Sequence, residues 1–382
     1  MKKTKPSSPP VTSEPPTHRI GFALVGLGHI AQVAILPGFA HARNAKLVAL
    51  VSSDATKLQK LGAQHGIGQL YSYDEFDECL KNPLVEAVYL ALPNDLHFEY
   101  ATRAARAGKH ILCEKPLALN SAESLGMIRA AESNRVKLMT AYRLHFEPAN
   151  LATIELVRSG AIGEVRYFNS SFSYNLTDKD NIRLKFARGG GPVYDIGTYC
   201  VNAARYLMRD EPERVAGMLT RSADPRFNEV EETASALLRF PRGRLASFIV
   251  SFGAATVSRY EIVGTEGRVV LEPAYDYSVE LQQMVTIGDK TETKTFPRTD
   301  QFGGQIEAFA DCIRNNREPE PSGREGLADV RIIDAIFTSS ARGRHVNFAP
   351  FKKTVRPTSK QVKRKAAIKR KPKVVGAESP HD

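Results

Sequence analysis

The feature that most constrains this chain is a short glycine turn between an apolar run and a helix-like segment. Residues 20–25 are typical of a buried strand, and Gly26, Gly28 and Ala31 follow in the pattern G-x-G-x-x-A. In such a turn the first glycine permits the bend, the second lets backbone approach a pyrophosphate, and the third small residue lets helix pack on strand. The anion then lies at the helix N-terminus. The turn therefore predicts a dinucleotide site.

The pattern of segments predicts two folded domains. Strand-like and helix-like segments alternate from residue 20 to about residue 140, which indicates an α/β Rossmann domain with a doubly wound parallel sheet. Beyond residue 150, short β-rich segments joined by turns favour an antiparallel sheet and an α+β domain. Strands are predicted over residues 47–51, 87–92, 110–113, 137–141, 165–174, 233–240, 244–252, 258–263 and 268–272, and helices over 98–107, 151–159, 305–315 and 323–341. The predicted parts are a disordered segment over 1–18, a nucleotide-binding domain over 19–143, a second domain over 144–351 and a disordered basic tail over 352–382.

The formal charge of +11 is concentrated near the ends of the chain. Residues 352–382 hold 11 Lys/Arg and 2 Asp/Glu, residues 1–18 hold 3 and 1, and the remainder holds 39 of each. The folded body is therefore predicted to be neutral, with the tail a solvated extension too poor in apolar residues to fold. The alternative is a tail that touches nucleic acid through weak, salt-sensitive phosphate contacts.

Cysteine and histidine usage argues against a metal site. Cys79, Cys113, Cys200 and Cys312 lie far apart with no Cys-x-x-Cys spacing, which favours reduced thiols over a zinc site or a disulfide framework. The nine histidines are dispersed, and neither a His-x-x-x-His pattern nor a carboxylate cluster occurs. With no run of 18 apolar residues and no apolar signal core at the N-terminus, the chain is predicted to be cytoplasmic.

Two further patterns carry candidate chemistry. Glu114, Lys115 and Pro116 follow a predicted strand, and ligands of open α/β sheets bind beyond the carboxyl ends of strands, so Lys115 is expected in the crevice of the glycine turn. A run of three glycines precedes Asp195 and Tyr199, which share a helical face at i, i+4. Such glycines are typical of backbone close to a ligand or of a mobile loop. A surface lysine and a packed tyrosine are the plain alternatives.

In order and spacing these motifs resemble the Gfo/Idh/MocA oxidoreductase family, and within it the glucose–fructose oxidoreductase branch. The residues that carry the resemblance are 26–31, 93–97, 107–117, 181–184, 189–199 and 202–207, and the likeness spans about residues 19–348. It implies a nucleotide-binding domain followed by a domain with a large, mostly antiparallel open sheet. That sheet is expected to mediate a homodimer or homotetramer.

The resemblance also implies roles for the site residues. Lys115 orients the substrate hydroxyl and stabilises negative charge, Tyr199 is the general acid/base where many relatives have histidine, and Asp195 holds the sugar or tunes its neighbours. Pro116 is expected to follow a cis peptide bond. A phenol titrates near about 10, so a neighbouring ammonium is needed to favour its phenolate. The residues expected on the cofactor side are Gly26, Leu27, Gly28, His29, Ile30, Ser52, Lys57, Pro93, Asn94, His97, Glu114, Lys115, Arg143 and Arg183.

Cofactor choice is predicted from the end of the second strand. An NAD enzyme usually places an acid against the ribose 2′-hydroxyl, whereas this chain has Ser52 and Ser53, with Lys57 one turn later. Hydroxyl and ammonium groups favour a 2′-phosphate, so NADP is predicted over NAD. Asp54 leaves the alternative of a carboxylate that faces the ribose.

The sequence thus predicts an NADP-dependent oxidoreductase that acts on a sugar or polyol. One alternative is an enzyme of the glucose–fructose type that retains NADP and cycles between two sugars. Another is a dinucleotide-sensing binding protein, although a sensor has no need of Lys115, Asp195 and Tyr199 together.

Overall fold

The first domain is built on a six-stranded parallel sheet with the strand order β3-β2-β1-β4-β5-β6. The computed structural model describes residues 18–349, 351, 355–363, 365–368 and 372–377. The strands are β1 (Ile20–Val25), β2 (Ala45–Val51), β3 (Gln69–Tyr71), β4 (Ala87–Leu90), β5 (His110–Cys113) and β6 (Leu138–Thr140). The helices are α1 (Leu36–His41), α2 (Ala55–His65), α3 (Phe76–Lys81), α4 (His97–Arg106) and α5 (Ser121–Ser133).

The second domain holds a nine-stranded sheet with the order β14-β13-β12-β11-β7-β10-β9-β8-β15. It is mostly antiparallel, since only β7 and β10 run parallel. Its strands are β7 (Val165–Asn175), β8 (Arg214–Thr220), β9 (Thr233–Arg239), β10 (Leu245–Ser251), β11 (Gly253–Gly264), β12 (Gly267–Glu272), β13 (Leu281–Ile287), β14 (Lys290–Phe296) and β15 (Val346–Asn347). The helices are α6 (Pro148–Ser159), α7 (Thr198–Met208), α8 (Gln301–Arg314) and α9 (Gly323–Arg342). The predicted fold class is confirmed.

The burial of the strands explains why the two sheets differ in sequence pattern. All six residues of β1 are buried, as expected for a central parallel strand covered by helices on both faces. Strand β9 instead alternates buried and exposed positions, because one face of the second sheet is covered by helices and the other is open. Residues that follow β1, β2, β4 and β5 border one cleft together with Phe172 and Tyr174 of the second sheet.

Helix α8 follows β14 in the chain but packs on the first sheet. Phe309 lies in one apolar cluster with Phe22 and Phe39, and the Phe22 and Phe309 rings are 6.2 Å apart. Leu327 and Val330 of α9 join another cluster of the first domain. Helices from beyond residue 144 thus complete the apolar cores of the N-terminal domain. The domain boundary at 143/144 stays a prediction.

The described parts of the C-terminal segment do not follow the expected solvated tail. Arg356 Nη2 lies 2.7 Å from Glu211 Oε1, Lys363 Nζ lies 3.3 Å from Asp311 Oδ2, and Lys365 pairs with Glu307. The body is neutral in sum, but it presents acidic groups where this segment passes. The alternative of weak nucleic-acid contacts by the tail stays a prediction. The segment predicted as disordered at the N-terminus lies outside the described residues, apart from residue 18.

Candidate active site

The glycine turn has the geometry that a dinucleotide requires. Gly26 has a φ of +94°, and a Cβ there would lie 2.4 Å from the Ala91 carbonyl oxygen. A Cβ on Gly28 would have no neighbour within 4 Å, so this position faces open space where a phosphate can approach. Ala31 is fully buried, which lets the following helical segment pack on the sheet. The residues present therefore fit a nucleotide pyrophosphate.

The end of β2 forms the other side of the nucleotide cleft. Ser52 is buried, and its hydroxyl accepts a hydrogen bond from the Asp54 N–H at 3.2 Å. Asp54 caps α2, because its Oδ1 accepts the Lys57 N–H at 3.0 Å. Lys57 Nζ lies 3.6 Å from Asp54 Oδ2. The carboxylate of Asp54 is thus engaged by its own helix, and Lys57 keeps its ammonium on the cleft.

Three predicted catalytic residues come together where the domains meet. Lys115 Nζ donates to Asp195 Oδ1 at 3.0 Å and to the Asp195 carbonyl at 2.9 Å. The same ammonium lies 4.7 Å from the centroid of the Tyr199 ring. Asp195 belongs to a π-helical turn (Val193–Gly197) that leads into α7, a local widening often found at functional sites. The peptide bond between Lys115 and Pro116 is cis, as predicted.

The electrostatics of this cluster keep Lys115 and Asp195 charged. Burial opposes the charged form of Lys115, but Tyr199 and Asp195 outweigh it, so the pKa of Lys115 lies above its ordinary value. Burial likewise opposes the Asp195 carboxylate, but Lys115 and Arg183 outweigh it and hold the pKa of Asp195 well below its usual range. Lys115 is therefore a fixed cation beside the Tyr199 ring.

Arg143 is a second cation beside the Tyr199 ring, in addition to Lys115. It is 5% exposed, and its guanidinium lies 5.0 Å from the Tyr199 ring centroid and 5.2 Å from that of Tyr277. Nη1 donates to Gln301 Oε1 at 2.6 Å, and Nη2 donates to the Tyr275 carbonyl. These bonds hold the arginine against the tyrosine and on the wall of the cleft.

Asp195 is fixed from the second domain as well. Arg183 Nε donates to Asp195 Oδ2 at 2.8 Å, and the Tyr174 hydroxyl donates to the same oxygen at 3.0 Å. The aspartate therefore accepts bonds from three side chains. Arg183 is thus a partner of Asp195 that also lines the cleft.

Two contacts join the domains at the mouth of the cleft. Asn94 Nδ2 donates to the Gly189 carbonyl at 2.9 Å, and Arg188 Nη1 lies 2.8 Å from Asp95 Oδ2. A Cβ on Gly189 would lie 2.8 Å from the Asn94 Cβ. Gly189, one of the three glycines expected to lie close to a ligand or in a mobile loop, thus permits close packing against Asn94 and also lines the cleft.

Glu114 and His97 occupy positions around the Lys115 turn. Glu114 Oε1 accepts the Tyr89 hydroxyl at 2.8 Å, and burial raises the pKa of Glu114. His97 is fully buried and does not line the cleft. Its ring nitrogens lie 2.9 Å from the Pro116 carbonyl and 3.0 Å from that of Leu92. The expected cofactor contact of His97 is therefore revised to a positioning role behind the turn.

One cleft of about 1260 Å³ brings the other predicted site residues together. This volume exceeds the roughly 300–1,000 Å³ usual for one small molecule, as expected for a site that holds a dinucleotide and a substrate. The lining includes Gly26, Leu27, Gly28, His29, Ile30, Ser52, Lys57, Pro93, Asn94, Glu114, Lys115, Arg143, Arg183, Asp195 and Tyr199.

Sequence reasoning missed the aromatic and C-terminal parts of the cleft wall. Phe172, Tyr174, Tyr275, Tyr277, Phe302, Gly376 and Ala377 also line it. Phe172 and Tyr174 lie two residues apart in β7, so the period-two alternation of that strand could have indicated that they share a face. The C-terminal residues carry no comparable signal.

Comparison with known sequence families decides the assignment. Residues 20–142 match the model of an oxidoreductase family with an NAD-binding Rossmann fold, and residues 151–270 match the Gfo/Idh/MocA C-terminal domain. This chain belongs to the Gfo/Idh/MocA oxidoreductase family. The family assignment made from the motifs is confirmed, as is an oxidoreductase with an NAD(P)-binding domain.

Three individual proteins illustrate the likeness of this family member. An uncharacterized oxidoreductase of Rhizobium meliloti is 34% identical over 332 residues, which is 85% of this chain and 98% of the relative. A D-xylose 1-dehydrogenase (NADP(+)) of Haloferax volcanii is 31% identical over 84% of this chain and 98% of the relative. The crystal structure of an aldose-aldose oxidoreductase from Caulobacter crescentus, complexed with glycerol, superposes with a TM-score of 0.83 at 38% identity, covering 87% of this chain and 100% of that chain.

The described residues contain neither a metal-binding cluster nor a membrane-spanning helix. No group of three or more His, Cys, Asp or Glu side chains in the described ranges is arranged to hold a metal ion. Within the same ranges, no helix combines the length and apolar character needed to span a membrane.

Proposed function

We propose that this family member is an NADP-dependent oxidoreductase that moves a hydride between the nicotinamide and a carbinol or carbonyl carbon of a sugar or polyol. The observation that carries the proposal is the ion pair of Lys115 with Asp195, which holds an ammonium 4.7 Å from the Tyr199 ring in the cleft of the glycine turn. The relatives named as a xylose dehydrogenase and an aldose-aldose oxidoreductase support a sugar substrate.

Tyr199 is the group proposed to carry the substrate proton. A hydride leaves a carbinol carbon only as its hydroxyl proton departs, so the site needs a base on the cleft. Because the pKa of Lys115 is raised, this lysine keeps its proton and stabilises the phenolate and the developing alkoxide instead. Asp195 holds Lys115 in place and stays ionised. NADP, when bound, supplies the hydride acceptor or donor.

The direct test is a turnover assay with a panel of aldoses and polyols. The purified protein is mixed with NADP, and reduced nicotinamide is followed by its absorbance. We expect NADP reduction with at least one member of the panel. A protein that binds NADP but reduces it with no member of a broad panel would contradict the sugar assignment. Absorbance before any nucleotide is added shows whether the cofactor is retained, as a cycle between two sugars requires.

Lys57 is proposed to select NADP. We expect Lys57→Ala to weaken NADP binding more than NAD binding, because one charge-assisted contact to the 2′-phosphate is worth about 1.5–3 kcal/mol, or roughly 10- to 100-fold. Isothermal titration with both nucleotides measures the difference. Lys60→Ala, on an exposed position of the same helix, is the matched control. Equal weakening of both nucleotides by Lys57→Ala would show that the lysine does not read the phosphate.

The open face of the second sheet is proposed to form a homodimer or homotetramer interface. Five large apolar side chains project from it, each 42% or more exposed: Tyr167, Met218, Leu237, Leu245 and Ile249. Leu245 is paired with Tyr167 across β7 and β10, and Met218 with Ser235 across β8 and β9, so these side chains share one face. Several large apolar side chains exposed on one sheet face are typical of an oligomer interface.

Sedimentation velocity tests this interface. We expect the wild type to be an oligomer and the double variant Leu237→Asp/Ile249→Asp to be a folded monomer, because two buried carboxylates oppose association. The control is Leu84→Asp/Val279→Asp, which charges two residues that are 52% and 43% exposed outside these strands. A wild type that sediments as a monomer, or a double variant that stays oligomeric, would contradict the proposal.

A further inference from the structure

The described C-terminal residues connect the second domain with the nucleotide cleft. At the start of this segment, the Ser359 N–H donates a hydrogen bond to Glu155 Oε1 of α6 at 3.1 Å. Lys363 and Lys365 then pair with Asp311 and Glu307 of α8. Residue 366 forms an isolated β-bridge with residue 299, after which residues 372–377 reach the first domain. We refer to the described residues within 355–377 as the C-terminal strap.

Gln32 holds the far end of the strap. This side chain follows the glycine turn and is 1% exposed. Its Oε1 accepts the Val375 N–H at 2.7 Å, while Nε2 donates to the Val375 carbonyl and to the Leu27 carbonyl, each at 2.9 Å. One buried amide thus links the strap to the glycine turn. Because a buried amide without partners is costly, Gln32 fits this pairing rather than an empty surface.

The next residues of the strap form part of the cleft itself. Gly376 and Ala377 line it together with Ser52, Asp54 and Lys57. A Cβ on Gly376 would lie 3.1 Å from Lys57 Cε. The strap therefore contacts the side chain that is proposed to take the 2′-phosphate.

We propose that the C-terminal strap is a wall of the nucleotide site that closes over its 2′-phosphate end, so that the nucleotide leaves only when the strap lifts. This inference rests on the proposed NADP-dependent function. Val375 packs against the apolar cluster of the first domain and Val362 against that of the second, so apolar contacts with both domains add to the ion pairs of Lys363 and Lys365. Opening must break these contacts before the phosphate is released, which slows release of the nucleotide.

The test measures the rate of NADPH release from the full-length protein. Protein loaded with NADPH is mixed with excess NADP in a stopped-flow instrument, and the loss of NADPH fluorescence gives the rate. The double variant Lys363→Ser/Lys365→Ser removes the two ion pairs that join the strap to α8, and neither lysine lines the cleft. We expect this variant to release NADPH about tenfold faster than the wild type, because the loss of both ion pairs should lower the equilibrium constant for strap closure about tenfold. Lys290→Ser/Lys294→Ser on β14 removes the same charge elsewhere and should leave the rate unchanged.

A second pair of variants tests the strap at its contact with Gln32. Val375→Pro deletes the N–H that Gln32 accepts, whereas Val374→Pro places the same residue one position earlier, where no bond to Gln32 is lost. Faster release in Val375→Pro than in Val374→Pro supports the strap. Unchanged release in both the lysine pair and Val375→Pro, with NADPH still bound, would overturn the strap alone. A wild type that binds no NADPH would overturn the proposed function together with the strap.

Discussion

Tyr199→Phe is expected to lower kcat by about 10²–10⁴-fold while NADP binding persists. The substitution keeps the ring that Lys115 and Arg143 contact, at 4.7 and 5.0 Å from its centroid, and deletes only the hydroxyl that is proposed to exchange the substrate proton. Steady-state kinetics with the best sugar of the panel measures kcat and KM, and a nucleotide titration measures binding. A loss confined to kcat is the signature of an interaction that acts in the chemical step.

The matched control is Tyr73→Phe, which makes the same change at another tyrosine of the cleft. Tyr73 packs edge-on against Tyr100 of α4, with ring centroids 5.8 Å apart, and lines the same cleft. We expect kcat within about threefold of the wild type for this control, as for a side chain outside the proton path. A Tyr199→Phe enzyme with similarly small loss would show that another group carries the proton.

The motifs predicted the site because each of them depends on local backbone. Gly26 needs a positive φ, and Lys115 follows directly on a strand that ends at the cleft, so both positions can be inferred from neighbouring residues. The pairing of Lys115 with Asp195 joins residues 80 positions apart. The family resemblance placed both residues in one site, but no local pattern specifies the bond between them.

The first turn of α8 shows where local propensity misleads. The sequence predicted this helix from residue 305, whereas it begins at Gln301, with Asp300 capping the N–H groups of Phe302 and Gly303. Glycine is a poor helix former, so Gly303 and Gly304 hid the start. Gly38 lies in α1, and a Cβ there would lie 2.9 Å from the Gly303 nitrogen of α8. The close approach of α1 and α8 explains why both helices have glycine at the contact.

The missed strands lack the pattern that sequence reasoning uses. Strand β14 is exposed at six of its seven positions, because it is the outer edge of the nine-stranded sheet. With little apolar surface to bury, it shows no alternation of buried and exposed residues. The contacts of the C-terminal strap were not predicted, because its cations pair with Glu211, Glu307 and Asp311. Only the tertiary fold brings these acidic residues to the path of the strap.

Glu231 connects protein stability with the segment that carries Asp195. This side chain is 2% exposed, and its Oε1 accepts the Val193 N–H at 3.1 Å, at the start of the π-helical turn. Burial raises the pKa of Glu231 to about 7, above its ordinary value near 4.5. The folded protein therefore holds this proton more tightly than the unfolded chain. The resulting stabilisation is complete below pH 4.5 and is lost as pH rises through 7.

We expect Glu231→Gln to remove this part of the pH dependence. The amide oxygen still accepts the Val193 N–H but carries no charge, so the variant should exceed the wild type in unfolding free energy at pH 8.5 by about 3 kcal/mol and match it near pH 4.5. Urea unfolding at several pH values measures the difference. The control is Glu232→Gln, at the adjacent half-buried position, which should follow the wild type at every pH. Parallel curves for the wild type and Glu231→Gln would mean that this carboxyl ionises in the folded protein as readily as in the unfolded chain, and would contradict a raised pKa of Glu231.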